Sequence, residues 1–336
     1  MFFPECGPLG RVGIAKLAAE SELLEAKRRV RYFELPARRF LNRVRSDRIP
    51  FCWTINPYRG CELGCKYCFA RYTHEYMELR DPRQFEEQIY AKRWNSHGFH
   101  DELKRLPHGE SIAIGTATDP YQPAERRYEV TRRILEVFAG ECGWSIGLVT
   151  KSDLVVRDID LLRAIARGNV LHVNLTITTL DERLARLVEP FAPRPALRIE
   201  AVRRLSEEGV RTGVLANPIM PLLTDSQASL DALASAAAGA GAESLVGGVL
   251  FLRPCALRVF LPFLKENFPN LAARYRKCYA RSPFLRGAYA DKIKERIASV
   301  RAKYRLDSSV PEYRPELWPV SSQLELFENC RLARQA

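Results

Sequence analysis

Arg59-Gly60-Cys61-Glu62-Leu63-Gly64-Cys65-Lys66-Tyr67-Cys68-Phe69 follows a short apolar run at 51–56 and sets three thiols in the spacing C-x3-C-x2-C. Gly60 and Gly64 leave the backbone free to turn, so three sulfurs can face one point. A loop of this kind can grip an iron–sulfur cube at three corners, leaving the fourth iron without a protein ligand and open to a small molecule. Two other readings stand beside it. Zinc sites usually pair two C-x2-C knuckles to reach four ligands, and here there is one, with His74 as a candidate fourth ligand. The cysteines can also be plain structural thiols.

Outward from this loop the pattern is a repeat. β-Branched or apolar runs at 51–56, 111–116, 145–150, 171–178, 212–216 and 245–252 read as six strands. Helical stretches lie between them at 85–94, 125–138, 158–166, 195–208 and 226–239, with Asp158 and Ser226 as N-caps and Gly209 as a stop. Strand–helix alternation of this length predicts an α/β fold with a parallel sheet, a partial (β/α)6 TIM-type barrel. Chemistry then gathers at the carboxyl ends of the strands, where the cysteine loop falls. The domain reading is a basic, mostly helical lead-in over 1–50 with a helix at 15–29, the barrel over 51–254, a basic and aromatic helical extension over 255–307, and a Pro- and Ser-rich tail over 308–336.

The second strand runs into Gly115-Thr116-Ala117-Thr118-Asp119-Pro120-Tyr121-Gln122-Pro123, where small and hydroxylated residues let a ligand approach the backbone. Lys151 ends the third strand and can meet a carboxylate. Asn174 projects from the fourth, and Arg198 opens the next helical stretch; each of these also has a purely structural reading.

The cysteine loop, with Tyr67 as the aromatic of C-x3-C-x-aromatic-C, resembles the radical S-adenosylmethionine (SAM) enzymes. The order NPYRGC, GTATDPYQP, TKSDL, TITTLD, EPFAP, RIEAVRRLSEEG and NPIMP between Asn56 and Pro254 narrows the likeness to the family related to spore photoproduct lyase, which reverts a thymine dimer. The resemblance implies a [4Fe-4S] cluster held by Cys61, Cys65 and Cys68, with S-adenosyl-L-methionine on its open iron. One electron splits SAM to a 5'-deoxyadenosyl radical that takes hydrogen from a substrate. It further implies Tyr67 beside the adenine, Thr118, Lys151 and Asn174 on SAM with Lys151 at the methionine carboxylate, and Arg198 as a recurring basic residue. Two departures stand out: Thr116 replaces the lyase's hydrogen-returning cysteine, and Phe69 replaces a tyrosine. Cys142, Cys255 and Tyr121 are the candidates for hydrogen transfer in their place.

Composition bounds the rest. The 336 residues are 46% apolar and carry nine cysteines, an odd, scattered set that does not read as a disulfide framework, so a reducing cytoplasm is expected. No stretch approaches the roughly 20 apolar residues of a membrane helix. The net charge of +12 concentrates in the segment around Lys27 to Arg48 and in that from Arg274 to Arg305, where Tyr275, Tyr279, Phe284, Tyr289 and Tyr304 interleave. That pairing suits nucleic acid, DNA first, by phosphate contact and base stacking; a solvated helix face is the alternative. Gln323-Leu324-Glu325-Leu326-Phe327 resembles the bacterial sliding-clamp-binding motif, or else is a terminal helix packing Leu324, Leu326 and Phe327 inward. The expected function is hydrogen abstraction from a nucleic acid in DNA repair or modification, fed by an external flavodoxin- or ferredoxin-like electron donor. RNA, peptide or small-molecule substrates, and a non-catalytic zinc and nucleic-acid-binding protein, are the alternatives.

Overall fold

The computed structural model describes residues 11–27, 29–46, 49–107, 109–309 and 313–319. Its strands are β1 (Glu22–Ala26), β2 (Arg31–Leu35), β3 (Leu41–Arg43), β4 (Trp53–Ile55), β5 (Tyr58–Arg59), β6 (Gln88–Lys92), β7 (Ser111–Ile114), β8 (Ser145–Thr150), β9 (Val170–Thr176), β10 (Thr212–Ile219) and β11 (Ser244–Val249). Six of them run parallel in the order β11-β10-β9-β8-β7-β4, and β3 adds an antiparallel edge beside β4. This mixed α/β sheet is an open barrel. The six strands expected from the sequence are these six.

Alternation along each strand explains why. Ile112 and Ile114, Ile146 and Leu148, and Leu171, Val173 and Leu175 are buried on one face against the helices. Side chains of that size each contribute about 1.5–3 kcal/mol when fully buried. The intervening positions, among them Val149, Thr176 and Leu215, turn to the other face and end in a cavity. Helix Gln227–Gly239 starts where Ser226 accepts from the Ser229 amide at 3.1 Å, and after the preceding helix, Pro195–Glu207, Gly209 supplies a left-handed stop at φ 76°.

Several expectations fail locally. Among the described residues the helical lead-in is Gly13–Ala19; Glu22–Ala26 forms β1, and the chain continues through β2 and β3. Glu-Leu-Leu-Glu-Ala is helical by composition, yet β1 pairs with β2, which lies parallel to β6 in a second sheet of order β1-β2-β6-β5. The helix read over 85–94 is Gln84–Glu87 followed by β6, for the same reason of tertiary pairing. The helix read over 125–138 breaks at Glu129, which takes φ 51°. Asp158 caps nothing with its side chain: its carboxylate pairs with Arg132 at 2.6 Å and Arg157 at 2.8 Å.

The C-terminal extension is helical, as Pro254–Asn267, Pro269–Tyr279 and Ala288–Tyr304. The last packs Ile293, Ile297 and Val300 on the barrel, while Phe260, Phe263, Leu264, Tyr275 and Tyr279 share a separate core with Cys61, Leu63, Cys65 and Tyr67. Tyr275 and Tyr279 are therefore not base-stacking surfaces; their hydroxyls donate to Pro221 O at 2.5 Å and Leu250 O at 2.7 Å. The possible clamp motif at Gln323, Leu324, Leu326 and Phe327 lies outside the described residues.

Candidate active site

Cys61, Cys65 and Cys68 line one cavity of roughly 380 Å3 at the carboxyl ends of the barrel strands, together with Tyr67, Thr118 and Lys151. All three are free thiols. The loop carrying them is tied to its surroundings by hydrogen bonds. Gly60 O accepts from Thr118 Oγ1 at 2.6 Å and Gln122 Nε2 at 3.2 Å, and the Cys61 amide donates to Phe85 O at 2.9 Å. The Glu62 amide donates to Gln122 Oε1 at 3.0 Å, while its carboxylate accepts from the Tyr32 hydroxyl at 2.7 Å and the Ala124 amide at 2.8 Å. On the far side the Lys66 amide donates to Val188 O at 2.9 Å, and Arg71 reaches Cys65 O at 2.9 Å, Pro82 O at 2.8 Å and Glu86. Gly60 holds φ 84°, and a Cβ there would lie 2.7 Å from Gln88 O and 2.9 Å from Phe85 O. Only glycine fits.

Lys151 is aimed from the end of β8 by Asp119, whose carboxylate accepts from the Lys151 amide at 2.7 Å, Thr150 Oγ1 at 2.7 Å and the Tyr121 amide at 2.9 Å. Its ammonium makes no hydrogen bond or ion pair with another described residue. Burial disfavours that charge, but the neighbouring Cys65 and Glu189 hold its pKa above the ordinary lysine value. Glu189 is buried: burial alone would raise its carboxyl, but Arg198 at 2.6 Å, and Lys151 beyond it, hold it below the usual range. It also accepts from Tyr67 and from Thr178 Oγ1 at 3.2 Å. Burial pushes the thiols up, Cys65 to about 12.

The structure thus brings Cys61, Cys65, Cys68, Tyr67, Thr118 and Lys151 together and leaves other candidates apart. Arg198 is 1% exposed and fully engaged, by Glu189, by Pro193 O at 2.8 Å and by Thr176 O at 3.1 Å, so it reaches the cavity through Glu189 and Tyr67. Asn174 sits two residues before Thr176, which lines the cavity, with its Oδ1 beside Gly213. Cys142 is exposed and precedes β8, at the amino ends of the strands, against Gly168; this is opposite the cavity, so it is no hydrogen donor there. Tyr121 is buried outside the cavity lining, with the Arg157 guanidinium 6.0 Å from its ring centroid. Cys255 lies behind the wall, its Sγ 3.7 Å from Phe69 O. His74 is no fourth metal ligand: Nε2 is 3.0 Å from Gln88 O, the ring packs on Phe85 and Tyr90, and burial pulls its pKa down to about 4. Sequence reasoning missed Gln122, Glu62, Arg71, Asp119 and Glu189. For Glu189 the one available signal was its position in the otherwise apolar Glu189-Pro190-Phe191-Ala192-Pro193.

Comparison with known proteins decides the family. A family model described as the radical SAM superfamily matches residues 55–233. The chain belongs to the radical SAM superfamily. Mycobacterium tuberculosis Rv2578c is 35% identical to it over 301 residues, covering 88% of each chain. Methanocaldococcus jannaschii MJ0683 is 30% identical over 232 residues, 65% of this chain and 77% of that one. Among solved structures, spore photoproduct lyase complexed with dinucleoside spore photoproduct superposes with TM-score 0.61 at 14% identity, covering 89% of this chain and 84% of that one. A lyase variant with bound AdoMet and the same dinucleoside gives TM-score 0.56 at 13% identity over 76% and 74%. These likenesses establish the fold.

This radical SAM protein uses the superfamily's [4Fe-4S] cluster and SAM, and its cavity suits both. Three thiols share the cavity with a free ammonium, which complements the negative charge of thiolate-ligated iron and of a carboxylate. No three His, Cys, Asp or Glu side chains among the described residues are grouped to hold a single metal ion.

Proposed function

We propose that this radical SAM enzyme abstracts hydrogen from a nucleic acid, DNA in the first instance, in repair or modification. The observation that carries the reading is the cavity itself: three thiols and the Lys151 ammonium at the carboxyl ends of a lyase-like barrel. Cys61, Cys65 and Cys68 would hold the cluster and leave one iron to SAM. When bound, the cluster supplies the electron that cleaves SAM to methionine and the 5'-deoxyadenosyl radical. The chain's own residues orient and exclude. Lys151, whose amide is held by Asp119, would meet the methionine carboxylate. Tyr67, fixed by Glu189 and Arg198, forms a rigid wall. Thr118 and Gln122 hold the loop at Gly60 O. Among the cavity-lining residues the cluster cysteines are the only thiols, and Thr116 stands where the lyase has its donor. This favours modification, with SAM consumed, over return of hydrogen from a protein thiol.

The net charge of +12 and the exposed Arg274, Arg276, Lys277, Lys292 and Lys294 support a polyanionic substrate. The test is anaerobic: reconstituted protein is reduced with SAM in the presence of deuterated DNA, RNA or peptide, and label in 5'-deoxyadenosine is measured. Label from DNA is expected. Label only from a peptide removes the nucleic-acid reading, and no 5'-deoxyadenosine from any mixture removes the radical one. A tail anchored to a sliding clamp through Gln323, Leu324, Leu326 and Phe327 belongs to the same proposal, and clamp retention unchanged after deleting 323–327 would eliminate it.

A further inference from the structure

The cavity opens onto a run of aromatic rings that the chemistry does not use. Phe69 and Phe251 form part of its wall, 6.0 Å apart by ring centroid. From Phe251 the run continues to Phe284, stacked at 4.5 Å and 23°. From Phe69 it continues to Tyr72 at 6.4 Å and 20°, then to Tyr76 at 5.6 Å. Phe69, Tyr76 and Phe284 are 39%, 63% and 48% exposed, with Tyr72 and Phe251 half-buried between them, so the run meets water at both ends and beside the cavity. A soluble protein rarely leaves such a patch open unless something covers it.

The charges around it are all of one sign where they are free. The Arg253 guanidinium lies 4.3 Å above the Tyr72 ring and 5.9 Å from that of Phe251. Arg281 and Arg286 flank Phe284 on the exposed loop that bridges back to Phe251. Among the described residues none of these three arginines has a carboxylate partner. Glu75, at the end of the helix carrying Tyr72, is neutralised by Arg258 at 2.5 Å. Alternating aromatic faces and unpaired guanidinium groups match a polymer of flat bases joined by phosphates. A duplex hides its base faces and would meet only the arginines; a peptide supplies neither regular π-faces nor regular anions.

We propose that Tyr76, Tyr72, Phe69, Phe251 and Phe284, with Arg253, Arg281 and Arg286, form a track that binds single-stranded nucleic acid by base stacking and delivers it to the cavity. This rests on the nucleic-acid reading above and names the form of the substrate.

The test is fluorescence anisotropy with the cluster-loaded full chain and labelled 15-mers: dT, rU, a duplex of mixed sequence, and poly-glutamate. Single strands should bind at least about 10-fold more tightly than the duplex or poly-glutamate, and Phe284→Ala should cost about 10-fold, the scale of one lost base stack. Phe284→Trp should restore binding. Arg281→Ala with Arg286→Ala should flatten the log–log salt dependence by about 1.4, at roughly 0.7 for each phosphate contact on a single strand. The dT and rU arms distinguish DNA from RNA, and tight binding of either supports the track. Equal binding of duplex or poly-glutamate, or Phe284→Ala binding dT like the parent, overturns it. Wild-type protein that produces 5'-deoxyadenosine yet behaves in either of those ways refutes the track alone. Failure to cleave SAM at all refutes the parent reading instead.

Discussion

Arg198→Met should destabilise the chain by about 3–5 kcal/mol, the range for removing one partner of a buried ion pair. The structure sets this magnitude: Arg198 and Glu189 are 1% exposed each, and their charged atoms are 2.6 Å apart. Removing the guanidinium leaves the Glu189 carboxylate with only Tyr67, Thr178 and the Lys151 charge nearby. Its pKa, now held down mainly by Arg198, would then be pushed up by burial. The sign of the pH dependence follows. In the parent the depressed folded pKa gives stability present above the usual carboxylate range and lost as pH falls; in Arg198→Met the contribution reverses and stability declines as pH rises. The assay is a double-mutant cycle by urea unfolding, with SAM affinity measured alongside. Arg198→Met/Glu189→Gln should recover most of the loss, and SAM affinity should recover with it because Arg198 acts through Tyr67. A cost below about 1 kcal/mol, the level of a surface pair, would refute the reasoning. So would a double variant that regains stability but not SAM affinity, since Arg198 would then touch the cofactor directly.

Gly60→Ala should abolish most iron incorporation, measured as iron per chain after reconstitution, because the new Cβ meets two backbone carbonyls at a positive φ. Gly64→Ala should lose less, since the nearest obstacle is the Phe191 ring at 2.9 Å, which can move. Lys151→Met should weaken SAM binding by about 10- to 100-fold, the worth of a hydrogen bond to a charged group, as read by calorimetry on the loaded protein. His74 is neutral when folded, its pKa lowered by burial to about 4 from 6.5. Its contribution, about 3 kcal/mol, is present above pH 6.5 and lost as pH falls towards 4. His74→Gln should flatten that window in urea midpoints measured across it.

The barrel was legible because its strands are short β-branched or apolar runs and, from β7 to β11, neighbours in the sheet are also neighbours in sequence, so local pattern and pairing agree. β1 and β6 were not: Glu22–Ala26 and Gln88–Lys92 are strands because they pair in a second sheet, β1 with β2 and β6 with β2 and β5. In the site, spacing alone revealed Cys61, Cys65 and Cys68, and strand-end logic revealed Lys151. The roles of Gln122, Asp119 and Glu189 depend on contacts with Gly60, Lys151 and Tyr67, each dozens of residues away, which no local pattern encodes. The aromatic track is the reverse case: of the aromatic residues interleaved with the C-terminal charges, Tyr275 and Tyr279 face inward and Phe284 faces out, a distinction made only by packing.

The cysteine loop owes its shape to hydrogen bonds with Thr118, Gln122, Phe85, Val188 and Arg71, none of which passes through a cysteine thiol. An enzyme stripped by oxygen would therefore keep the mould in which its inorganic part was cast. Repair then becomes a matter of supplying iron and sulfide afresh, and a cell need not destroy and resynthesise the polypeptide after each exposure to air.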